Sequence, residues 1–179
     1  MSPALSHALV WFPVAAVVAV GMELWAALLH GRVWHSWLWR VHRSHHEPRT
    51  GRWEWNDALA LFHAPIAIAL ILYGCASEPG VLREIAFGVG VGMTAFALGY
   101  IVVHDGLVHG RLPVQFLNRF KVMRRIARAH RVHHTVASGG RPYGLFFGAW
   151  ELARASRVKQ QHARRPSSAR PTSPIARRA

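Results

Sequence analysis

Three long apolar runs constrain this chain more than any other feature. About 20 apolar residues cross a bilayer as a helix. Leu9 to Leu29 reaches that length with Glu23 as its only charge, Ala58 to Cys75 has no charge but contains His63 and Pro65, and Ile85 to Val103 is the third run. The second and third are joined by Ser-Glu-Pro-Gly at Ser77 to Gly80, a short hairpin connection. The first is too long for the core of a cleaved signal, and no Lys or Arg precedes it, so it reads as a retained helix. The expected fold class is all-α, an integral membrane helical bundle. A soluble protein with three buried helices is the alternative, and run length and charge distribution count against it.

The chain has 179 residues, room for one domain, and 51% of them are apolar, yet it carries 22 Lys and Arg against 8 Asp and Glu. Those two properties must occupy different segments. The hairpin region carries Arg83 alone, segment 31–57 carries five basic residues and segment 104–179 carries sixteen. So 21 of the 22 lie on the side reached by the ends of runs one and three. The positive-inside rule makes that side cytoplasmic and puts the N-terminus outside. Because the arginines flank membrane runs, nucleic acid is not an expected partner. Residues 1–153 read as one membrane domain. Residues 154–179, rich in Arg, Ser and Pro, read as a basic, disordered tail, solubilising or in contact with anionic lipid. The single cysteine, Cys75, has no partner for an intrachain disulfide and reads as a small buried hydrophobe.

The chain has 13 histidines, and ten of them form a repeat. Run one ends in His-x-x-x-x-His (His30, His35), followed by His-x-x-His-His (His42, His45, His46). Run three ends in the same way (His104, His109), followed after a longer connection by His130, His133 and His134. Each half is therefore an apolar helix with two histidine motifs behind it. Positions i, i+3 and i+4 share a helix face, so each triplet aims its imidazoles at one region. Positions i and i+5 stand about 140° apart on a regular helix. The paired histidines either serve two metals or require the helix to distort between them, and both readings favour a binuclear centre. Ten imidazoles exceed the needs of one ion, whereas two ions with about five each would use them all. Imidazole suits iron, zinc, copper and nickel. A cytoplasmic-side array of neutral ligands fits a redox-active di-iron centre, although zinc accepts the same ligands. His7, His63 and His162 lie outside the repeat and read as non-ligands, with His63 forming a hydrogen bond within the membrane or lining a cavity.

The segment Gln115 to His134 carries a helical stripe of Phe116, Phe120, Met123, Ala127, His130 and His134, with Arg124, Arg125, Arg128 and Arg131 on the remainder. It reads as an interfacial helix that leads into a histidine face. In the first half His35, Leu38, His42 and His45/His46 make a shorter stripe that Pro48 ends. Trp34, Trp37, Trp39, Trp53 and Trp55 suit a headgroup boundary or plain packing. Gly88, Gly92 and Gly99 in run three permit close helix packing, or leave room for a rigid lipophilic substrate. Asp105 and Asp57 either orient ligand histidines or cap and solvate helix ends.

These motifs carry a family resemblance. The four histidine boxes resemble those of the fatty acid hydroxylase and sterol desaturase superfamily of membrane di-iron enzymes. Asn-Asp-Ala-Leu-Ala at Asn56 to Ala60, the segment Tyr100 to Arg111, and Arg128 to Val136 resemble its bacterial beta-carotene hydroxylases. The resemblance covers residues 5–150, more loosely over Arg141 to Ala149. It implies two Fe ions held by the ten histidines, O2 as cosubstrate, a ferredoxin or similar reductant, and hydroxylation at C3 of beta-ionone rings. Beta-carotene would become zeaxanthin by way of beta-cryptoxanthin, with ketolated carotenoids as further substrates leading toward astaxanthin. A superfamily hydroxylase or desaturase acting on a sterol, a fatty acyl chain or another carotenoid position is the nearest rival. A metal transporter would want ligands at the membrane middle, and a bis-histidine haem protein would need far fewer histidines.

Overall fold

The structure is a computed structural model, and it describes residues 3–135 and 140–164, with side chains from His7 to Gln161 outside the gap. Among the described residues every regular element is helical. Three helical stretches, His7–Trp34, Asp57–Ala76 and Val81–Val108, are long and apolar enough to cross a membrane.

Helix α1 (Pro3–Leu29) continues through a π-helical turn at His30–Trp34. A short α2 (Trp39–His42) and a 3₁₀ turn (Arg43–His45) carry the first His-x-x-His-His motif. The second span is divided into α3 (Asp57–Leu61) and α4 (Ala64–Ala76). Pro65, in the first turn of α4, causes the division. Its ring excludes the N–H and the space that a continuous helix would need, so the chain turns at Phe62 and His63. Helix α5 (Val81–Tyr100) returns antiparallel and ends in a second π-helical segment, Ile101–Val108. Arg83 closes the α4–α5 hairpin: its Nε donates to the Gly74 carbonyl at 2.8 Å and its Nη1 to the Ser77 carbonyl at 3.3 Å. Those carbonyls lie at the C-terminal end of α4, where the helix itself supplies no partner.

Helix α5 packs between α1 and α4. The Gly88 and Gly92 positions face α1 so closely that a Cβ would stand 2.6 Å from the Trp11 carbonyl oxygen and 2.5 Å from that of Ala15. Packing, rather than space for a substrate, is what these two glycines provide. Gly90 meets α4 in the same way, since a Cβ there would stand 2.8 Å from the Ala67 carbonyl oxygen. Outward from these contacts, α1 and α4 leave Leu9, Phe12, Val17, Leu24, Ile68 and Leu72 exposed, a surface suited to lipid.

The buried core lies at the histidine end. Val103 and Leu107 of the π-helical segment pack with Ile126 and Ala127 of α6 (Lys121–His134) and with Leu145. The helix expected from Gln115 therefore starts at Lys121; residues Gln115–Arg119 form a separate 3₁₀ turn. Phe116 and Phe120 lie outside the core and exposed, with the Arg119 guanidinium over their rings at 5.6 and 4.7 Å. Helix α7 (Gly148–Arg164) packs on α6 and crosses the expected 153/154 boundary, so residues 154–164 are helical. The rest of the expected tail, 165–179, lies outside the described residues. Cys75 is exposed near the end of α4, against the expectation of burial, because it lies on a lipid-suited face of that helix.

Candidate metal centre

The two π-helical turns are what bring each His-x-x-x-x-His pair onto one face. The His35 N–H donates to the His30 carbonyl at 3.1 Å, and the His109 N–H to the His104 carbonyl at 3.0 Å. These are i to i+5 bonds, which accommodate one more residue per turn than an α-helix. The helix distorts, and His30 and His35 meet with their Nε2 atoms 3.2 Å apart. Gly110, at φ 68°, then ends the second turn in a conformation that glycine adopts without strain.

Nine imidazoles gather into two groups whose nitrogens lie within 4.8 Å of one another: His30, His35, His42, His46 and His133 in one, His45, His109, His130 and His134 in the other. The tenth, His104, adjoins the second group, with ring centroids 4.6 Å from His109 and 4.7 Å from both His45 and His130. The groups touch: the rings of His46 and His134 stack at 4.4 Å. Each His-x-x-His-His motif is divided between them. His42 and His46 stay with the first-half group while His45 crosses to the other, and His130 and His134 stay while His133 crosses. The expectation that each triplet aims at one region is corrected by this exchange.

Hydrogen bonds fix which nitrogen faces inward. His30 Nδ1 donates to the Tyr143 carbonyl at 2.8 Å, His42 Nδ1 to Asn56 Oδ1 at 2.6 Å and His133 Nδ1 to the Gly140 carbonyl at 2.5 Å. His45 Nδ1 donates to Glu54 Oε2 at 3.1 Å, and His104 Nδ1 to Asp105 Oδ1 at 2.7 Å. Each of these neutral rings is left with an unprotonated Nε2 lone pair. Yet His30 Nε2 and His42 Nε2 stand 3.0 Å apart with no proton to share. His35 Nε2 is 3.1 Å from His133 Nε2, and His130 Nε2 is 2.9 Å from His134 Nε2. His45 Nε2 and His109 Nε2 are buried without a hydrogen-bond partner. The His30 and His42 lone pairs at this separation repel unless a cation lies between them. Two nitrogens at right angles around a first-row metal, with bonds of about 2.1 Å, would be about 3.0 Å apart. The donor set fits metal ions.

Burial keeps these imidazoles neutral. It lowers His42, His109 and His133 to about 4 and His134 to about 3, with neighbouring imidazoles adding to the effect for His42, His133 and His134 and arginines for His109. Around the second group, Arg111 joins the carboxylates: its Nη1 donates to Asp57 Oδ1 at 2.7 Å and its Nη2 lies 3.4 Å from Glu54 Oε1. Asp105 therefore touches a candidate ligand directly, whereas Asp57 acts through Arg111 and also accepts the Glu54 N–H at 3.0 Å. Trp39 stacks on His35 at 5.3 Å, shielding the first group.

Sequence reasoning did not single out Glu54, Asn56, Arg111 or the Gly140 and Tyr143 carbonyls. A carboxylate close to a histidine box, in a chain with only 8 acidic residues, marks Glu54 as a candidate, but its partner is not readable from local spacing. His7 pairs with Glu84 at 2.7 Å, and His63 accepts the Trp25 Nε1–H at 2.9 Å; both lie outside the two histidine groups. The side chain of His162 lies outside the described residues.

The chain is 45% identical over 141 residues to "Beta-carotene 3-hydroxylase 1, chloroplastic" of Arabidopsis thaliana, an alignment covering 79% of this chain and 45% of that protein. It is 41% identical over 136 residues to "Beta-carotene 3-hydroxylase, chloroplastic" of Haematococcus lacustris, covering 75% and 42%. To "Beta-carotene hydroxylase" of Pantoea ananas it is 37% identical over 156 residues, 86% of each chain. The chain thus spans a little under half the length of the plant and algal relatives and most of the bacterial one. No solved structure matches it. The model of the fatty acid hydroxylase family matches residues 15–154, which include all ten repeated histidines. On that match, and with the histidine groups that the fold assembles, the chain belongs to the fatty acid hydroxylase family.

Proposed function

We propose that the chain is an oxygen-dependent beta-carotene 3-hydroxylase with a di-iron centre, converting beta-carotene to zeaxanthin by way of beta-cryptoxanthin. The observation that carries this reading is the pair of adjoining histidine groups at one end of three membrane-length helices. The names of the plant, algal and bacterial relatives support the substrate class. A ring methylene has no acidic proton and no electrophilic centre, so side chains alone do not oxidise it. Two iron ions would supply the oxidising power, drawing on O2 and on electrons from a ferredoxin or similar donor.

The chain's own residues do the rest. His30, His35, His42, His46 and His133 would hold one ion, and His45, His104, His109, His130 and His134 the other. Tyr143, Asn56 and Gly140 hold three rings of the first set by Nδ1, and Glu54 and Asp105 hold two of the second. Such partners fix tautomer and ring direction and raise ligand basicity. The exposed apolar faces of α1 and α4 would let an elongated apolar substrate approach from lipid. By the positive-inside rule the histidine end would face the cytoplasm, within reach of a soluble reductant.

Expression in cells that accumulate beta-carotene tests the activity. The expected products are beta-cryptoxanthin and then zeaxanthin. Recovery of unchanged beta-carotene alone, with a working reductant supply and the protein present in the membrane, overturns the proposal. Metal analysis of the purified protein is expected to give two irons per chain, and a Soret band or a single metal would count against the di-iron assignment.

A further inference from the structure

Away from the histidines, a cavity of about 750 Å³ opens between the end of α1 and α7. Its wall is apolar at Leu28 and Trp150 and cationic at Arg32, Arg141, Arg154 and Lys159. Among the described residues that line it Glu151 is the one acid, and its two oxygens already accept the N–H groups of Tyr143 and Gly144, both at 3.1 Å. The cations therefore outnumber the one carboxylate on the cavity wall.

The surroundings say what such a cavity would hold. On α1, Val17, Val20, Leu24 and Leu28 are exposed at steps of three and four, one continuous stripe along a membrane-length helix. The next step of four is Arg32, at the mouth of the cavity. On α7, Trp150, Arg154 and Val158 recur at steps of four, with Lys159 beside them, and the Arg154 guanidinium lies over the Trp150 ring at 5.4 Å. An apolar stripe that runs into a ring of cations at the end of a spanning helix matches a molecule with acyl chains and an anionic head. We infer that this cavity binds the headgroup of an anionic phospholipid, with its phosphate among Arg32, Arg141, Arg154 and Lys159 and its acyl chains along the α1 stripe.

The site adjoins the first histidine group through Tyr143. That residue lines the cavity, its carbonyl accepts from His30 Nδ1 at 2.8 Å, and its ring centroid lies 5.7 Å from that of His35. A bound lipid closes the outer side of the segment that holds His30. An acidic protein is the other class of partner that four cations suit, but the continuous apolar stripe favours lipid.

The test is native mass spectrometry of the full-length protein released from nanodiscs of mixed phosphatidylcholine and phosphatidylglycerol. Retention of phosphatidylglycerol in preference to phosphatidylcholine is expected. R154Q/K159Q should weaken that retention about 30-fold, as expected for two cations lost beside a membrane phosphate. R125Q/R128Q removes the same charge from exposed positions on α6 and should leave retention unchanged. Equal retention of both lipids, or equal loss in the two double variants, overturns the site. If R154Q/K159Q keeps its lipid but loses binding to an acidic protein reductant, the cavity is a protein-docking face and the inference fails.

Discussion

An imidazole offers one nitrogen to a metal only when its other nitrogen holds the proton. In this protein that choice is made by neighbours on other segments. Asp105 is the most informative of the carboxylates, since it lies 2.7 Å from His104 Nδ1 and 3.9 Å from the Arg111 guanidinium. Replacing it with Asn keeps the shape but removes the charge that strengthens the His104 ligand. D105N is expected to lower iron affinity or hydroxylation by about 10- to 100-fold, read as iron per chain and zeaxanthin formed. D57N, acting one step away through Arg111, should cost less, and a larger loss in D57N than in D105N would reverse that order. The sequence left Asp105 and Asp57 equivalent, because adjacency to a histidine or to a named segment does not say where a carboxylate points. Asn56 and Glu54 reach His42 and His45 across a loop, 14 and 9 residues along the chain, and no local pattern encodes such pairs.

At the scale of elements, the distorted helix ends were half legible. A spacing of five required either two metals or a distortion, and the i to i+5 bonds at His30–His35 and His104–His109 decide for distortion. The division of each His-x-x-His-His motif was not legible, for a geometric reason. His45 and His46 are adjacent residues about 100° apart around their axis, as are His133 and His134. One face in sequence terms is wide enough to serve two centres when the turn runs between them. H133A should therefore deplete the group otherwise built by the first half of the chain, and H45A the group built by the second. Iron stoichiometry and spectra of the two variants check this, and the exchange would be refuted if each variant disturbed only the group of its own half. The glycines of α5 act at the same scale. Valine at Gly92 would force its Cβ, 2.5 Å from the Ala15 carbonyl, to push α1 away. G92V is expected to destabilise the bundle by roughly 1–3 kcal/mol, the usual cost of overpacking, seen as a lower melting temperature in detergent. It should also reduce iron in both groups, because α1 and α5 lead into His30 and His104 respectively.

The molecule as a whole was the most legible scale. Length and apolarity announced three spans, and a repeat read in ten histidines placed them at one end; the break at Pro65 and the helical course of 154–164 departed from that plan. That arrangement puts a buried set of bases inside an otherwise small core, which makes folding depend on pH. In the metal-free chain His42, His109 and His133 are lowered to about 4 and His134 to about 3, while in the unfolded chain each has an ordinary histidine value near 6.5. Between those limits the unfolded state binds more protons than the folded one, so stability rises with pH across the window and is lost as pH falls from about 6.5 toward 4. Each proton taken up on unfolding contributes about 1.4 kcal/mol per pH unit. The melting temperature of the metal-free protein should therefore fall steadily from pH 7 to pH 4.5. Added ferrous iron binds only the deprotonated, folded arrangement, so it should raise the melting temperature at pH 7 and lose that effect on acidification. A metal-free melting temperature that stays flat between pH 7 and pH 4.5 would mean that the histidines are not buried as neutral bases, and the fit of the site to metal would fall with it.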